Sequence, residues 1–271
     1  MLGYKALAKL DRKKYREQYG CFIVEGKKGV LEAIQSNLQV IQLIVTGSFR
    51  SDQAEYLNTG QVKQFVTQNK ILEVGNQAFA DIADTSTPQG VAAVVKLPEQ
   101  DLESMLNKPL LAILEDIRDP GNVGTIIRTA DWFGLGGLIC LGGADPLQPK
   151  VVRSSMGSIF RVPIYHVGRT ELQDSGQDVL SRIKDAGYTI VTTRPEFAEK
   201  TREAIEDGKD IAQMTGIDSA KKICVVFGNE AHGTTTKIDK MADTSLSIPR
   251  YGQAESLNVA VSFGVIISQL T

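Results

Sequence analysis

Three polar loops in the second half of the chain carry residue types that could act chemically on a bound ligand. Each loop follows a short apolar run and combines glycine with amide, carboxylate or guanidinium side chains. The loops lie within residues 114–124, 225–233 and 248–258. Apolar runs of this length predict buried strands, and ligands of open α/β sheets bind beyond the carboxyl ends of such strands. The three loops therefore predict one shared ligand site.

The first loop leads into a predicted helix that carries an arginine. Asn122 is a natural N-cap residue, and Gly121 and Gly124 allow a ligand or another chain to approach the backbone. Arg128 falls about one and a half turns into the helix, among apolar residues. Two interpretations stay open: Arg128 acts at the ligand, or it is structural and pairs with the acidic residues 115–116.

The second loop runs from Gly228 to Gly233. Because Gly228 stands directly at a strand end, it permits close approach of a ligand to the backbone. Glu230 can accept hydrogen bonds or hold Arg128 in place. His232 invites a role as general base, but a histidine in a polar loop is more often simply exposed, and exposure is the favoured interpretation.

The third loop connects the last predicted strand to the last predicted helix. Pro249 ends the strand, and a polar stretch with one glycine follows. Ser256 and Asn258 then stand at the start of an apolar helix, where polar side chains cap the helix and face a ligand. We expect Asn258 to share a cavity with Asn122 and Glu230.

The sequence lacks the motifs that are typical of several other classes of protein. The glycines of residues 134–137 follow a predicted helix and precede a strand, the reverse of what a pyrophosphate site requires, which argues against a nicotinamide-dependent oxidoreductase. There is no GKS or GKT loop, no GxSxG elbow and no metal-ligand spacing, so we expect no metal. No apolar run approaches the roughly 20 residues of a membrane span, and the basic N-terminus does not resemble a secretory signal.

Composition and cysteine usage predict a cytoplasmic globular protein. The 271 residues are 42% hydrophobic and 23% charged, which is typical of one large or two ordinary domains. Cys21, Cys140 and Cys224 are widely spaced in apolar runs. They predict buried thiols in a reducing cytoplasm and no disulfide or zinc framework.

Positive charge is concentrated near the N-terminus. The whole chain has a net charge of −2, whereas residues 1–97 carry 12 Lys/Arg and 9 Asp/Glu. Lys13, Lys14 and Arg16 belong to a basic cluster that could contact the phosphates of a nucleic acid. A solvated helix face accounts for the same cluster equally well, so both interpretations stay open.

The pattern of elements divides the chain. Residues 1–97 alternate helices and strands and predict a compact, layered α/β domain; residues 98–108 are acidic and bracketed by prolines, which predicts a linker. From residue 109 to residue 271, near-continuous apolar strands alternate with helices and predict a Rossmann-like fold with a mostly parallel sheet. Residues 194–220 are polar and predict an irregular excursion.

Periodicity and breakers also predict the individual elements. Strands are expected over residues 21–26, 40–46, 61–67, 90–97, 110–115, 138–141, 161–165, 188–193, 223–228 and 244–248. Helices are expected over residues 4–19, 30–36, 69–83, 123–133, 150–156, 171–186, 236–241 and 256–269.

Taken together, the three loops resemble the three motifs of the SpoU (TrmH) family of RNA 2′-O-ribose methyltransferases, in the SPOUT superfamily. The matching residues are Asn122, Gly124 and Arg128 in the first motif, Gly228 and Glu230 in the second, and Pro249, Gly252, Ser256, Leu257 and Asn258 in the third. The second loop departs from the family's pattern at residues 231–232 and 234–235. Residues 14–26 resemble the ribosomal-protein-like substrate-binding domain that precedes many such enzymes.

The resemblance implies a fold, a cofactor and a set of site residues. It implies a trefoil-knotted domain that works as a homodimer and binds S-adenosylmethionine within the knot, preceded by a smaller α/β/α substrate-binding domain. The cofactor would be held at Gly228, Ile248 and Leu257, with Thr193 lining the pocket. Catalysis is assigned to Asn122, Arg128, Glu230, Ser256 and Asn258. A guanidinium is a poor base, so positioning is the easier role to defend for Arg128.

The resulting hypothesis is methyl transfer to a ribose 2′-hydroxyl of structured RNA, without metal or membrane. Ribosomal RNA is favoured over transfer RNA, because transfer-RNA relatives often bind through short terminal extensions and not through a separate N-terminal domain. The alternative is an RNA-binding or ribosome-assembly factor that keeps the fold without catalysis. The intact set of five polar residues argues against that alternative.

Overall fold

The chain forms two units. The structure is a computed structural model that describes residues 1–169, 172–194 and 222–271. The N-terminal unit comprises Met1–Glu99 with Leu147–Arg161, and the C-terminal unit comprises Gln100–Pro146 with Val162–Thr271. Except for its first residue, the excursion predicted over residues 194–220 lies outside the described residues.

A four-stranded mixed sheet forms the centre of the N-terminal unit. Its strands are β1 (Cys21–Glu25), β2 (Val40–Thr46), β3 (Ile71–Val74) and β4 (Val91–Lys96), in the order β1-β4-β2-β3. Strand β4 pairs antiparallel with β1 and β2, and β2 pairs parallel with β3. Strands β1 and β4 are buried along almost their whole length, because their continuous apolar runs place hydrophobic residues on both faces.

The described helices of this unit are short. They are α1 (Tyr4–Leu7), α2 (Lys13–Tyr19), α3 (Lys27–Gln35), α4 (Gly47–Asp52), α5 (Ala54–Asn58), α6 (Lys63–Thr67), α7 (Asn76–Ile82) and α10 (Pro149–Ser154). The single helix predicted over residues 4–19 is wrong, because a turn separates α1 from α2. Arg16 stabilises that turn by donating to the carbonyl oxygens of Leu10 and Asp11.

The strand predicted over residues 61–67 is also wrong. A 3₁₀ turn over Gly60–Val62 leads directly into α6, and strand β3 follows inside a stretch predicted as helix. Val62 and Phe65 are both buried, and their spacing of three residues places them on one helical face. The apolar residues of this short segment fit a helix better than an alternating strand.

A six-stranded, all-parallel sheet forms the centre of the C-terminal unit, which confirms the predicted fold class. Its strands are β5 (Leu110–Glu115), β6 (Leu138–Leu141), β7 (Ile164–Val167), β8 (Tyr188–Thr193), β9 (Lys222–Phe227) and β10 (Thr244–Leu246). The order is β10-β8-β9-β5-β6-β7, and every neighbouring pair is parallel. All carboxyl ends therefore lie along one edge of the sheet.

The helices of this unit connect and cover the strands. The described helices are α8 (Leu102–Met105), α9 (Pro120–Trp132), α11 (Leu172–Asp185), α12 (Thr236–Met241) and α13 (Val259–Ile267). Helices α9 and α13 pack side by side. On α13, Phe263 lies with its ring 4.9 Å from that of Phe227 at the end of β9. No helix among the described residues is long and apolar enough to cross a membrane.

The three cysteines are buried free thiols, as predicted. Cys21 lies in β1, Cys140 in β6 and Cys224 in β9. Burial raises the pKa of Cys21 to about 11 and the pKa of Cys140 to about 12. A thiol with such a pKa is protonated and unreactive at neutral pH, so these residues contribute packing.

Candidate active site

A chain of side-chain hydrogen bonds joins the three polar loops. The Nδ2 group of Asn122 donates to Oε1 of Glu230 at 3.1 Å, across 108 residues of sequence. The Nδ2 group of Asn258 donates to Oδ1 of Asn122 at 3.0 Å, across 136 residues. Asn122 is thus the junction between the first, second and third loops.

Asn122 can serve as this junction because another residue caps helix α9. The N-cap is Asp119, whose Oδ1 accepts from the backbone N–H of Asn122 at 2.8 Å. Pro120 occupies the first helical position, where a missing N–H costs nothing. The prediction that Asn122 is the N-cap is wrong, and its side-chain amide remains available for the other two loops.

Asn258 both starts helix α13 and reaches the junction. Its Oδ1 accepts from the backbone N–H groups of Ala260 at 2.9 Å and Val261 at 3.4 Å. Helix α13 therefore begins three residues later than predicted. Ser256 precedes the helix, is exposed, and makes no hydrogen bond with the described residues.

Arg128 lies on the exposed side of α9. It makes no hydrogen bond or ion pair with any residue that the structure describes. The structural alternative required a partner at residues 115–116, but both side chains are bound elsewhere: Glu115 accepts from the backbone N–H and the hydroxyl of Thr235, and Asp116 accepts from Arg118. The guanidinium of Arg128 is therefore available to a ligand.

The second loop closes on itself as a tight turn. The backbone groups of Asn229 and Gly233 exchange two hydrogen bonds, of 3.0 and 2.8 Å. A Cβ atom at Gly228 would lie 2.2 Å from the carbonyl carbon of Gly233. Glycine is thus needed at position 228 because the backbone of the chain's own turn packs against it. The sequence analysis had predicted that a ligand would pack there. Glu230 and the exposed His232 lie between the paired residues.

Two acidic residues at the end of β5 have shifted pKa values. Burial raises the pKa of Glu115, although the hydrogen bonds from Thr235 oppose this shift. Burial also disfavours the ionised form of Asp116, but the hydrogen bond from Arg118 and the charges of Arg169 and Arg118 outweigh it and lower the pKa of Asp116. The sequence analysis did not predict that Asp116 binds two arginines. The signal that could have indicated a functional role for Asp116 is an acidic residue directly after a predicted strand.

The residues assigned to the cofactor lie at the carboxyl ends of three consecutive strands. Thr193 ends β8, Gly228 follows β9 and Ile248 lies beyond β10. The hydroxyl of Thr193 donates to the carbonyl oxygen of Val226 at 3.1 Å. Leu257 is half exposed and directly precedes the capping residue of α13.

Unused polar groups in the same place fit a cofactor such as S-adenosylmethionine. The hydroxyl oxygen of Ser247 is buried and has no hydrogen-bond partner among the described residues. Over the described chain, the backbone of residues 251–257 forms no hydrogen bond with another backbone group. Buried polar groups are normally paired, so the Ser247 hydroxyl fits a polar group of the cofactor. Residues 251–257 are exposed, and their backbone groups can bind water or a ligand.

The basic cluster of the N-terminal unit contains one residue with a different role. Lys13 and Lys14 stand in the first turn of α2, where the Lys14 side chain is exposed. Arg16 is only 3% exposed, and its Nη1 donates to the carbonyl oxygens of Leu10 and Asp11 at 2.8 and 2.7 Å. Arg16 cannot contact a phosphate while it holds these carbonyls, so the structure corrects its assignment to RNA binding.

Comparison with known protein families agrees with the geometry. The model of the SpoU rRNA Methylase family matches residues 109–268. The chain belongs to this family. The model of the MRM3-like substrate binding domain matches residues 4–93, so the predicted family is confirmed for both parts of this SpoU-family protein.

Relatives of known activity match almost the whole SpoU-family chain. A 23S rRNA (guanosine(2553)-2′-O)-methyltransferase of Bacillus subtilis is 32% identical over 265 residues, which cover 97% of this chain and 93% of the relative. A 23S rRNA (uridine(2479)-2′-O)-methyltransferase of Streptomyces viridochromogenes is 30% identical, over 93% of this chain and 83% of the relative.

Solved structures show the same architecture. A crystal structure of an rRNA methyltransferase from Sinorhizobium meliloti superposes with a TM-score of 0.78 at 27% identity, covering 98% of this chain and 93% of that one. Its AdoMet-bound form gives a TM-score of 0.74 at 26% identity, with the same coverage of both chains. These matches confirm the predicted activity class, S-adenosylmethionine-dependent 2′-O-methylation of RNA.

Proposed function

We propose that this SpoU-family enzyme methylates a ribose 2′-hydroxyl of ribosomal RNA at the site where Asn122, Glu230 and Asn258 meet. The observation that carries the proposal is the double use of Asn122, which binds Glu230 and Asn258 at once. Three loops from distant parts of the chain are thereby held in one arrangement. The relatives named as 23S rRNA methyltransferases favour RNA of the large ribosomal subunit as the first substrate to test.

The cofactor-binding side of the site is assigned to the ends of β8, β9 and β10. When bound, S-adenosylmethionine supplies a methyl group that its sulfonium makes electrophilic. Backbone groups of Gly228, Ile248 and Leu257 would hold it, with Thr193 beside them. The unpaired Ser247 hydroxyl, next to Ile248, supports this placement and adds a side-chain partner that the sequence did not indicate.

Arg128 and Ser256 are assigned to the RNA side. Both are exposed and neither has a partner among the described residues, so each can bind a ligand without breaking an internal bond. The guanidinium of Arg128 would hold the 2′-hydroxyl or the adjacent phosphate in line with the methyl group. Ser256 lies two residues before Asn258, and its hydroxyl would contact the ribose.

Asn122, Glu230 and Asn258 are assigned a positioning role. Each uses its side chain to bind another loop, and Asn258 also caps the helix that follows. Such bonds hold reacting groups in one geometry before the substrate arrives, which is worth several orders of magnitude in rate. Loss of one amide would let a whole loop move.

We also propose that the enzyme is a homodimer. Helices α9 and α13 pack side by side and expose large apolar side chains, including Trp132 at 85% and Val261 at 52%. Large exposed apolar side chains on two helices that pack together are typical of a surface that a partner covers. A second copy of the chain would bury this face by two-fold symmetry.

The trefoil knot is proposed from the path of the C-terminal segment. Strand β10 lies at one edge of the sheet, yet α13 packs against α9, which follows the inner strand β5. Residues 247–258 must therefore pass across the carboxyl ends of β8 and β9. A trefoil knot would further require this segment to pass through a loop of the same unit, as the resemblance to the SPOUT superfamily implies.

We also propose a separate role for each part of the chain. Residues 1–97 would bind RNA through Lys13 and Lys14, residues 98–108 would act as a linker, and residues 109–271 would carry out methyl transfer. The buried free thiols suit the reducing cytoplasm, where we place the reaction.

The test is methyl transfer to defined RNA. Unmodified 16S rRNA, 23S rRNA and tRNA made by transcription would be incubated with the full chain and methyl-labelled S-adenosylmethionine, and modified riboses mapped by their resistance to alkaline cleavage. We expect label at a ribose of rRNA, favoured in 23S, and none in tRNA. Label on a base would contradict the proposed reaction, whereas cofactor binding without any labelling would favour the assembly-factor alternative.

A further inference from the structure

Two arginines outside the matched motifs share one carboxylate at the end of β5. The Nε and Nη2 groups of Arg118 both donate to Oδ2 of Asp116, at 2.9 and 2.6 Å. The Nη2 group of Arg169, which lies beyond β7, donates to the same oxygen at 3.4 Å. We call these three residues the arginine fork.

The arginine fork is fixed to the active-site loops. The Nδ2 group of Asn229 donates to the carbonyl oxygen of Asp116 at 2.9 Å, and the next residue is Glu230, which binds Asn122. Asp116 has a φ of +49°, a left-handed conformation that aspartate adopts more readily than most other non-glycine residues. Its position relative to the catalytic loops is therefore well defined.

The electrostatics of Arg118 agree with a location near Glu230. The hydrogen bond and charge of Asp116 raise the pKa of Arg118, and the negative charge of Glu230 adds to this shift. This agrees with the hydrogen bond from Asn229 to Asp116, which places the arginine fork beside the loop that carries Glu230.

The charges of the arginine fork do not cancel. Two guanidinium groups face one carboxylate, which leaves one net positive charge. The side chains of Arg118 and Arg169 are 59% and 64% exposed, and that of Asp116 is 24% exposed. Neither Nη1 group has a partner among the described residues. The ion pairs Arg50–Glu73 and Arg153–Asp84, by contrast, each match one arginine to one carboxylate.

We propose that the arginine fork binds a backbone phosphate of the substrate RNA next to the target ribose. This inference rests on the proposed function. Guanidinium groups donate two parallel hydrogen bonds to phosphate oxygens, and Asp116 holds both side chains in place before RNA binds, which lowers the entropy lost on binding. A phosphate contact sets the register of the RNA without reading its bases.

The test is RNA binding by the full chain. A fluorescein-labelled single-stranded RNA of about 16 nucleotides would be titrated by anisotropy over a series of salt concentrations. Because phosphate contacts are independent of sequence, the natural substrate is not needed. The variants are Arg118→Ala, Arg169→Ala and the double change. Arg50→Ala, in an exposed pair of the N-terminal unit, is the matched control.

We expect the double variant to raise the Kd for RNA about tenfold or more. The slope of log K against log salt should fall by about 0.7 for each phosphate that the variant no longer binds. Replacement by lysine at positions 118 and 169 keeps the charge but not the paired donors, so it should restore the slope and only part of the affinity. In methylation assays, KM for RNA should rise while the Kd for S-adenosylmethionine and the melting temperature stay constant.

Three results would overturn the assignment. They are no measurable binding of this RNA by the unaltered enzyme, equal binding by the double variant at every salt concentration, or an equal loss in Arg50→Ala. Failure of the proposed function would look different, because RNA binding would persist and respond to the variants while no ribose became methylated.

Discussion

Two arginines, one in a helix of each unit, have different roles although they share the same side chain. Arg16 in α2 is buried, and its Nη1 group binds two backbone carbonyls. Arg128 in α9 is exposed and has no partner in the described structure. The sequence suggested the opposite for Arg16, which lies in a basic cluster, and left both possibilities open for Arg128. The partners of a charged group, and not its sequence neighbours, indicate its role.

The same contrast extends to the surroundings of each arginine. In the N-terminal unit the guanidinium completes a turn between two helices. In the C-terminal unit the amides and carboxylates satisfy one another across the loops, and the guanidinium of Arg128 has no partner among the described residues. A site that binds a polyanion needs such an unneutralised cation. Substitutions of the buried arginine and of the exposed arginine therefore test whether the first is structural and the second binds RNA.

Arg128→Ala should impair the enzyme most. We expect methyl transfer to fall by about 100-fold or more, because the substrate loses the group that aligns it. The Kd for S-adenosylmethionine, measured by calorimetry, should not change. Arg50→Ala removes an exposed arginine of the N-terminal unit and serves as control. Equal losses of activity and cofactor binding would mean that Arg128 is structural after all.

Asn122→Asp tests the junction. The new carboxylate cannot donate to Glu230 and repels it, so the second loop should lose its position. We expect kcat to fall roughly 10- to 100-fold, with the fold retained by circular dichroism. Asn107→Asp makes the same chemical change at an exposed position of the same unit. Wild-type kcat in Asn122→Asp would show that the junction is dispensable.

Arg16→Ala tests the structural side of the comparison. Removal of the guanidinium leaves two carbonyls without their donor, so the free energy of unfolding in urea should fall by about 1–3 kcal/mol. Activity per folded molecule should be unchanged, and Arg50→Ala is again the control. If the variant keeps full stability but its log K for RNA binding depends less steeply on log salt, then Arg16 contacts a phosphate after all.

Lys13→Ala with Lys14→Ala addresses the rest of the basic cluster. We expect a few-fold weaker RNA binding and a salt slope lower by about 0.7 for each lysine that contacts a phosphate, without loss of stability. Lys63→Ala with Lys70→Ala changes the same charge at other exposed positions of the unit. If both pairs behave alike, the cluster is an ordinary solvated surface.

Glu115→Gln should change the protein least, and it concerns a buried carboxyl group of the C-terminal unit. Burial raises the folded-state pKa of Glu115 above its ordinary value of 4.5, so the wild type loses stability as the pH rises through that folded-state pKa. Glutamine still accepts a bond from Thr235 and carries no charge. The variant should therefore be more stable at neutral pH, and the difference should shrink below about pH 4.5. Urea unfolding at several pH values measures the difference in the free energy of unfolding between variant and wild type. If that difference does not depend on pH, the buried charge of Glu115 is not its cause.

Much of the C-terminal fold could be predicted because its signals are local. Strands β5, β6 and β8 and helix α12 have the predicted bounds, since each is a short apolar or amphipathic run between breakers. Short segments in the N-terminal unit were harder, as residues 61–67 show. A run of so few residues fits either a helix or a strand until the packing partner is known.

The strand pattern, the three polar loops and the family could be inferred from the amino-acid sequence, because periodicity and motif spacing are properties of neighbouring residues. The folded structure was needed to show that Asp119 caps α9, that Gly228 accommodates its own turn, and that Arg16 is buried while Arg128 is exposed. Those outcomes depend on which groups meet after the chain has folded, across as many as 136 residues. Hydrogen bonds and burial at such separations follow from packing, which no local pattern encodes.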